Sequence, residues 1–138
     1  MELNEKDKWG HYPLLGAICR NNIEIVKLLI DYANHHQIIL ELNEKNKWGE
    51  YPLLWAINKN NIEIVKLLID YANQHQIILK LNEKDNKCGF YPLLGASYKN
   101  NIEIVKLLID YANQHQIILE LNERRSEKEQ NIIINCNI

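Results

Sequence analysis

The sequence predicts an all-α protein, a short solenoid of stacked helix pairs joined by hairpin-like loops. Three observations predict it. One segment occurs three times, as YPLLGAICRNNIEIVKLLIDYANHHQIILELNEK from Tyr12, YPLLWAINKNNIEIVKLLIDYANQHQIILKLNEK from Tyr51 and YPLLGASYKNNIEIVKLLIDYANQHQIILELNER from Tyr91, at spacings of 39 and 40 residues. In every copy the longer apolar stretch leaves only a narrow polar stripe. Pro, Asn and Gly punctuate each copy at the same places.

Within a unit, Pro13 opens the first helix, because Pro at the first helical position gives up no needed hydrogen bond and already has a helical φ. This helix runs roughly from Pro13 to Arg20. Asn21 and Asn22 then divide two helices, since Asn tolerates the left-handed conformation that ends one and its side chain caps the next. In the second helix Glu24, Lys27, Asp31 and His35 fall on a stripe about 100° wide. Ile23, Ile25, Val26, Leu28, Leu29, Ile30, Tyr32 and Ala33 take the rest, so the helix is built for burial on more than one side, as stacking demands. Ile38, Ile39, Leu40 and Leu42 suit an extended segment, followed by a turn in which Gly10, Gly49 and Gly89 supply positive φ. The third connector, NEKDNKCGF against NEKNKWGE, carries the one extra residue, which an exposed turn accepts at least cost.

Composition narrows the function. The chain has 138 residues, 46% hydrophobic and 25% charged, enough for one domain or a short array. A net charge of −2 gives no general attraction to nucleic acid or anionic membrane. Cys19, Cys88 and Cys136 are an odd number at unrelated positions, which argues against a disulfide framework and for a reducing, intracellular and cytoplasmic setting. The charged N-terminus has no apolar leader, and no run reaches transmembrane length. The abundance of Asn, Ile and Lys reads as codon bias.

The pattern G-E-Y-P-L-L-W-A, then N-I-E-I-V-K-L-L-I, then L-E-L-N or L-K-L-N resembles the ankyrin repeat family. The resemblance covers Glu2 to about Asn122, and implies helix pairs at about 12–39, 51–78 and 91–118, with a charged tail over 123–138. Where the family has a bonded Thr and His, this chain has Tyr12, Tyr51, Tyr91 and Leu15, Leu54, Leu94, so packing is expected to replace that polar network. The units exceed the family norm in length, and the excess is expected at NHHQII and NQHQII, as an extension of the second helix.

The resemblance also implies a protein-binding module, with no cofactor and no catalytic residue, that holds its partner on loop tips and the exposed side of the first helices. Candidate partner-binding residues are those that vary while the framework repeats: Trp9, Trp48, His11, Glu50, Phe90, Trp55, Asn58 and Tyr98, with Arg20, Lys59 and Lys99 beside them. Aromatic and Arg side chains dominate interface energetics, and the Lys and Arg at helix ends would select an acidic partner. Trp9 and Trp48 read better as packing of one connector on the next; Trp55 and Tyr98 read better as anchors. The structural alternative is a spacer, or a piece of a longer array, with no binding surface of its own.

His36, His75 and His115 recur, with His35 and His11 nearby, but repeats lie about 10 Å apart and a metal needs its ligands within a few ångströms. Bonds to helix-end carbonyls are expected instead, and no metal site. Glu24, Asp31 and their copies pair with Lys27 on a solvated stripe, and no nucleophile-base pair or phosphate loop occurs, so no enzyme activity is expected. Arg124, Arg125 and Ser126 read as solvated charge. Neither end offers a polar-faced terminal repeat; Ile132, Ile133 and Ile134 are expected to fold back on the last unit, and association through uncapped ends is the rival expectation.

Overall fold

A computed structural model of the chain describes residues 2–119. The tail and its expected fold-back lie outside the described residues. Among the described residues six helices occur in order: α1 (Pro13–Cys19), α2 (Ile23–His35), α3 (Pro52–Asn58), α4 (Ile62–His75), α5 (Pro92–Tyr98) and α6 (Ile102–His115). Each short helix packs on the longer one that follows. The pairs stack through α1 on α3 on α5 and through α2 on α4 on α6.

The local signals act as the residue types require. Pro stands at the first turn of α1, α3 and α5. Asn21, Asn60 and Asn100 hold φ of 56°, 54° and 55°, and the next Asn of each pair accepts a bond from the backbone N–H three residues on. The second helix is longer than a minimal repeat needs, but it takes up only part of the extra residues. Gln37, Gln76 and Gln116 turn left-handed, at φ of 57°, 59° and 59°, so Ile38 and Ile39 and their copies leave the helix.

The core is a continuous row along the stack. Leu14, Leu15, Ile18 and Val26 lead to Tyr51, Leu53, Ile57, Ile64 and Leu68, then to Ala96, Ile104 and Leu108, all buried. Side chains at the position that faces the preceding unit are covered in the second and third units: Ile64 and Ile104 are fully buried, whereas their counterpart Ile25 in the first unit is 43% exposed. At the other end Ile102 and Ile109 are exposed. Ser97 stands there in the place of the fully buried Ile18 and Ile57, and its hydroxyl donates to Leu93 O. One position of that outer face is therefore polar after all.

Polar bonds cross every junction. Tyr12 Oη donates to Glu44 O and Tyr51 Oη to Glu83 O, both at 2.8 Å, so these tyrosines do more than pack. Burial and the nearby Glu44 and Glu83 carboxylates push both phenols far above the usual tyrosine range, so they stay protonated donors. In return Leu40 N donates to Tyr71 Oη and Leu79 N to Tyr111 Oη. Asn61 Nδ2 donates to Asn21 Oδ1 and Asn101 Nδ2 to Asn60 Oδ1. Asn4 and Asn43 each donate to a carbonyl and accept from a backbone N–H across a junction, at Ile39 and Glu41 and at Ile78 and Lys80. The asparagine content thus has a structural use that a codon reading overlooks.

The connectors form hairpins without regular strands among the described residues. Asp7 N donates to His11 O, Asn46 N to Glu50 O and Asp85 N to Phe90 O. Lys47 N donates to Trp9 O and Asn86 N to Trp48 O, so each hairpin leans on the one before. Gly10 fits there at φ 84° because a Cβ on it would meet Asn46 Cα at 2.8 Å. Cys19 is a free thiol. Cys88 is buried.

Candidate functional site

The residues that vary between units gather where hairpins meet the short helices. Between α3, α5 and the third connector lies a cleft of about 400 Å³, open mouth included, whose walls include Trp55, Asn58, Phe90, Gly95 and Lys99, with Glu50 and Asp85 at its connector side. Trp55 stands where the other units have Gly16 and Gly95, and the missing side chain at Gly95 leaves the cleft its room. The Trp55 ring is half-buried with Lys59 Nζ over it, 5.2 Å from the centroid. Its Nε1–H is buried and finds no acceptor among the described residues.

Tyr98 is 51% exposed, and its ring lies tilted on Phe90 at 5.3 Å between centroids. Phe90 itself is buried, so it supports Tyr98 and walls the cleft; it is not itself a presented contact. Asn58 and Lys99 line the same cleft, and Glu50 Oε1 accepts from Asn46 Nδ2 at 2.8 Å. Seven of the sequence candidates, Glu50, Trp55, Asn58, Lys59, Phe90, Tyr98 and Lys99, thus fall on one patch.

Trp9, His11, Trp48 and Arg20 lie outside the cleft. The Trp48 ring faces His11 of the preceding connector at 6.0 Å, as packing between connectors requires. Trp9 has Lys8 Nζ over its ring at 4.4 Å. Both tryptophans nonetheless keep more than two-fifths of their surface in solvent. Arg20 is exposed at the end of α1, in register with Lys59 and Lys99 at the ends of α3 and α5.

The turn apices carry side chains that comparison of the copies passes over. Lys8, Lys47 and Lys87 are exposed and recur in every unit, so a search for differences between copies treats them as framework. Asp85 occupies a place that suits a turn former. Its Oδ1 does accept from the N–H groups of Cys88, Gly89 and Phe90, and Asp7 Oδ1 accepts likewise from Trp9 and His11. The backbone bond from His11 is the largest cause holding the Asp7 carboxyl below the usual range.

Among the described residues, His75 and His115 bond to side chains of the preceding unit, not to terminal carbonyls as expected. His75 Nε2 lies 3.2 Å from Asn34 Oδ1 and His115 Nε2 lies 3.0 Å from Asn73 Oδ1, so each ring joins its unit to the one before. The rings also lie against Tyr71 and Tyr111 at 4.2 and 4.3 Å. Among the described residues no group of three or more His, Cys, Asp or Glu could hold a metal ion. No described helix is long and apolar enough to cross a membrane.

No curated protein matches the chain. The family model for ankyrin repeats, in three copies, matches residues 1–77 and 35–120. With stacked helix pairs, no strand among the described residues and that match over most of its length, the chain belongs to the ankyrin repeat family.

Proposed function

We propose that the chain binds another protein through the face made by its first helices and hairpin tips, with Trp55 and Tyr98 as the anchoring side chains. Ankyrin repeats are in general protein-interaction modules, and the family is generally non-catalytic. What favours this face is the cleft beside Trp55: an aromatic side chain is placed there where both other units have glycine. Large aromatic rings held half-buried at a cleft edge give much contact area for little lost conformational freedom. Neither nucleic acid nor membrane is proposed as the ligand.

The test is retention of a partner from cell extract by the wild-type chain and by a Trp55→Ala, Tyr98→Ala double variant, after circular dichroism and urea denaturation show both equally folded. A partner held by the first and lost by the second supports the reading. A partner held equally by both would move the binding surface elsewhere on the molecule. A spacer, or a segment of a longer array, is the second reading, favoured by Ile25 and Leu28 exposed at one end of the stack and Ile102 and Ile109 at the other. Failure of the wild-type chain to retain any partner, together with concentration-dependent self-association, is what that reading expects.

A further inference from the structure

Charge is segregated between the two sides of this chain. Each long helix carries an exposed Glu, Lys and Asp: Glu24, Lys27, Asp31 on α2, and the same set on α4 and α6, so that side is acidic in every unit. The first-helix side differs. Arg20, Lys59 and Lys99 end the short helices, one per unit, and Lys8, Lys47 and Lys87 stand at the turn apices, again one per unit. None of these six has a carboxylate within 4 Å among the described residues, whereas Lys6, Lys45 and Lys80 at the base of the connectors are paired with Glu44 or Glu83. The carboxylates nearest this side, Asp7, Glu50 and Asp85, are already engaged by the N–H groups of their own connectors or by Asn46.

We propose that the occupant of this face is an acidic, extended peptide segment with a carboxylate at about every third residue, lying across the repeats with its carboxylates on Arg20, Lys59 and Lys99. The inference rests on the reading of the first-helix face as the binding surface. Its period comes from geometry. Neighbouring units repeat at about 8–10 Å, the packing distance of helices. A polyproline-type chain rises about 3.1 Å per residue with three residues per turn, which brings every third side chain back to one side after about 9 Å. A β-strand returns a side chain to the same face after two residues, about 7 Å, and falls out of step with the units.

A peptide suits the polar groups better than a nucleic acid does. The buried Trp55 Nε1–H seeks an acceptor, and Asn58 and Glu50 in the same cleft offer acceptors to a donor. A peptide backbone has both kinds of group, while a phosphate backbone has acceptors alone.

The experiment is fluorescence anisotropy with a labelled peptide of repeated Pro-Pro-Glu triplets, against a peptide of the same composition with its Glu clustered, a Pro-Pro-Lys peptide and an oligothymidylate of equal length. The triplet peptide is expected to bind about tenfold more tightly than the clustered one. Its affinity is expected to fall about tenfold in an Arg20→Gln, Lys59→Gln, Lys99→Gln variant, and to weaken with added salt. Circular dichroism verifies that the variant is folded. Equal binding of triplet and clustered peptides, equal or tighter binding of the oligothymidylate, or indifference to the triple substitution overturns the proposal. If the triplet peptide fails while a partner is still lost on Trp55→Ala, Tyr98→Ala, the face is right and its ligand chemistry wrong. If that loss is absent too, the reading of the face falls with it.

Discussion

Asp7 accepts two backbone N–H groups on one oxygen, and Glu83 accepts the Lys45 ammonium at 3.0 Å. The side-chain bond from Lys45 is the largest cause holding Glu83 below the usual carboxylate range, as the backbone bond from His11 is for Asp7. A carboxyl group whose folded-state pKa is depressed contributes stability that is fully present above its unfolded pKa, near 4, and is lost as pH falls through the folded value. The urea midpoint is therefore expected to drop between about pH 5 and about pH 3. In an Asp7→Asn, Glu83→Gln variant the drop should be smaller. Asn is a fair replacement at position 7 because Asn46 holds the same turn in the second unit through bonds to Trp48 N and Glu50 N. An unchanged drop would show that other groups set the acid limit.

At the scale of single elements, two kinds of left-handed residue look alike and differ in purpose. Asn60 ends α3 at φ 54°, and its Oδ1 also accepts from Asn101 of the next unit. Gln76 ends α4 at φ 59°, is exposed, and forms no side-chain hydrogen bond among the described residues. The left-handed conformation costs an L-residue about 1–2 kcal/mol that glycine escapes. Gln76→Gly is thus expected to raise stability by about 1 kcal/mol, partly offset by greater freedom of the unfolded chain. Asn60→Gly should instead lower it, since the bond to Asn101 goes with the side chain. Urea midpoints of both variants check the two signs.

Among the described residues, the helices of each unit pack mainly on those of its neighbours, so the stack holds together junction by junction. Ile57 is fully buried at the junction of the second and third units, and a Cβ on Gly95 would lie 3.2 Å from its Cγ2. Ile57→Ser copies the residue that the third unit has at this place, Ser97. It removes apolar contact and buries a hydroxyl, at a cost of about 2–5 kcal/mol. Amide hydrogen exchange should then show α5 and α6 opening apart from α1 to α4. Uniformly faster exchange through all six helices would mean that the array unfolds as one unit in spite of the weakened junction.

The sequence by itself determined most of what is local, though not the left-handed Gln that ends each long helix. Pro13, Pro52 and Pro92 mark the helix starts, the Asn pairs mark the reversals, the three glycines mark the turns, and the narrow polar stripe marks helices made to be covered, because each depends on backbone preferences within a few residues. It also singled out Trp55 and Tyr98, since copies of a framework expose their own differences. The tertiary structure alone decided what crosses the junctions. The Tyr12 bond to Glu44, the Asn61 bond to Asn21 and the His75 contact with Asn34 join residues 32 to 41 positions apart. Repetition in the sequence shows that the units stack, but not the offset at which they do. That offset, a matter of how side chains of one unit fill the gaps of the next, puts a phenol under a carbonyl, buries Phe90 behind Tyr98, and leaves the indole N–H of Trp55 without a partner among the described residues.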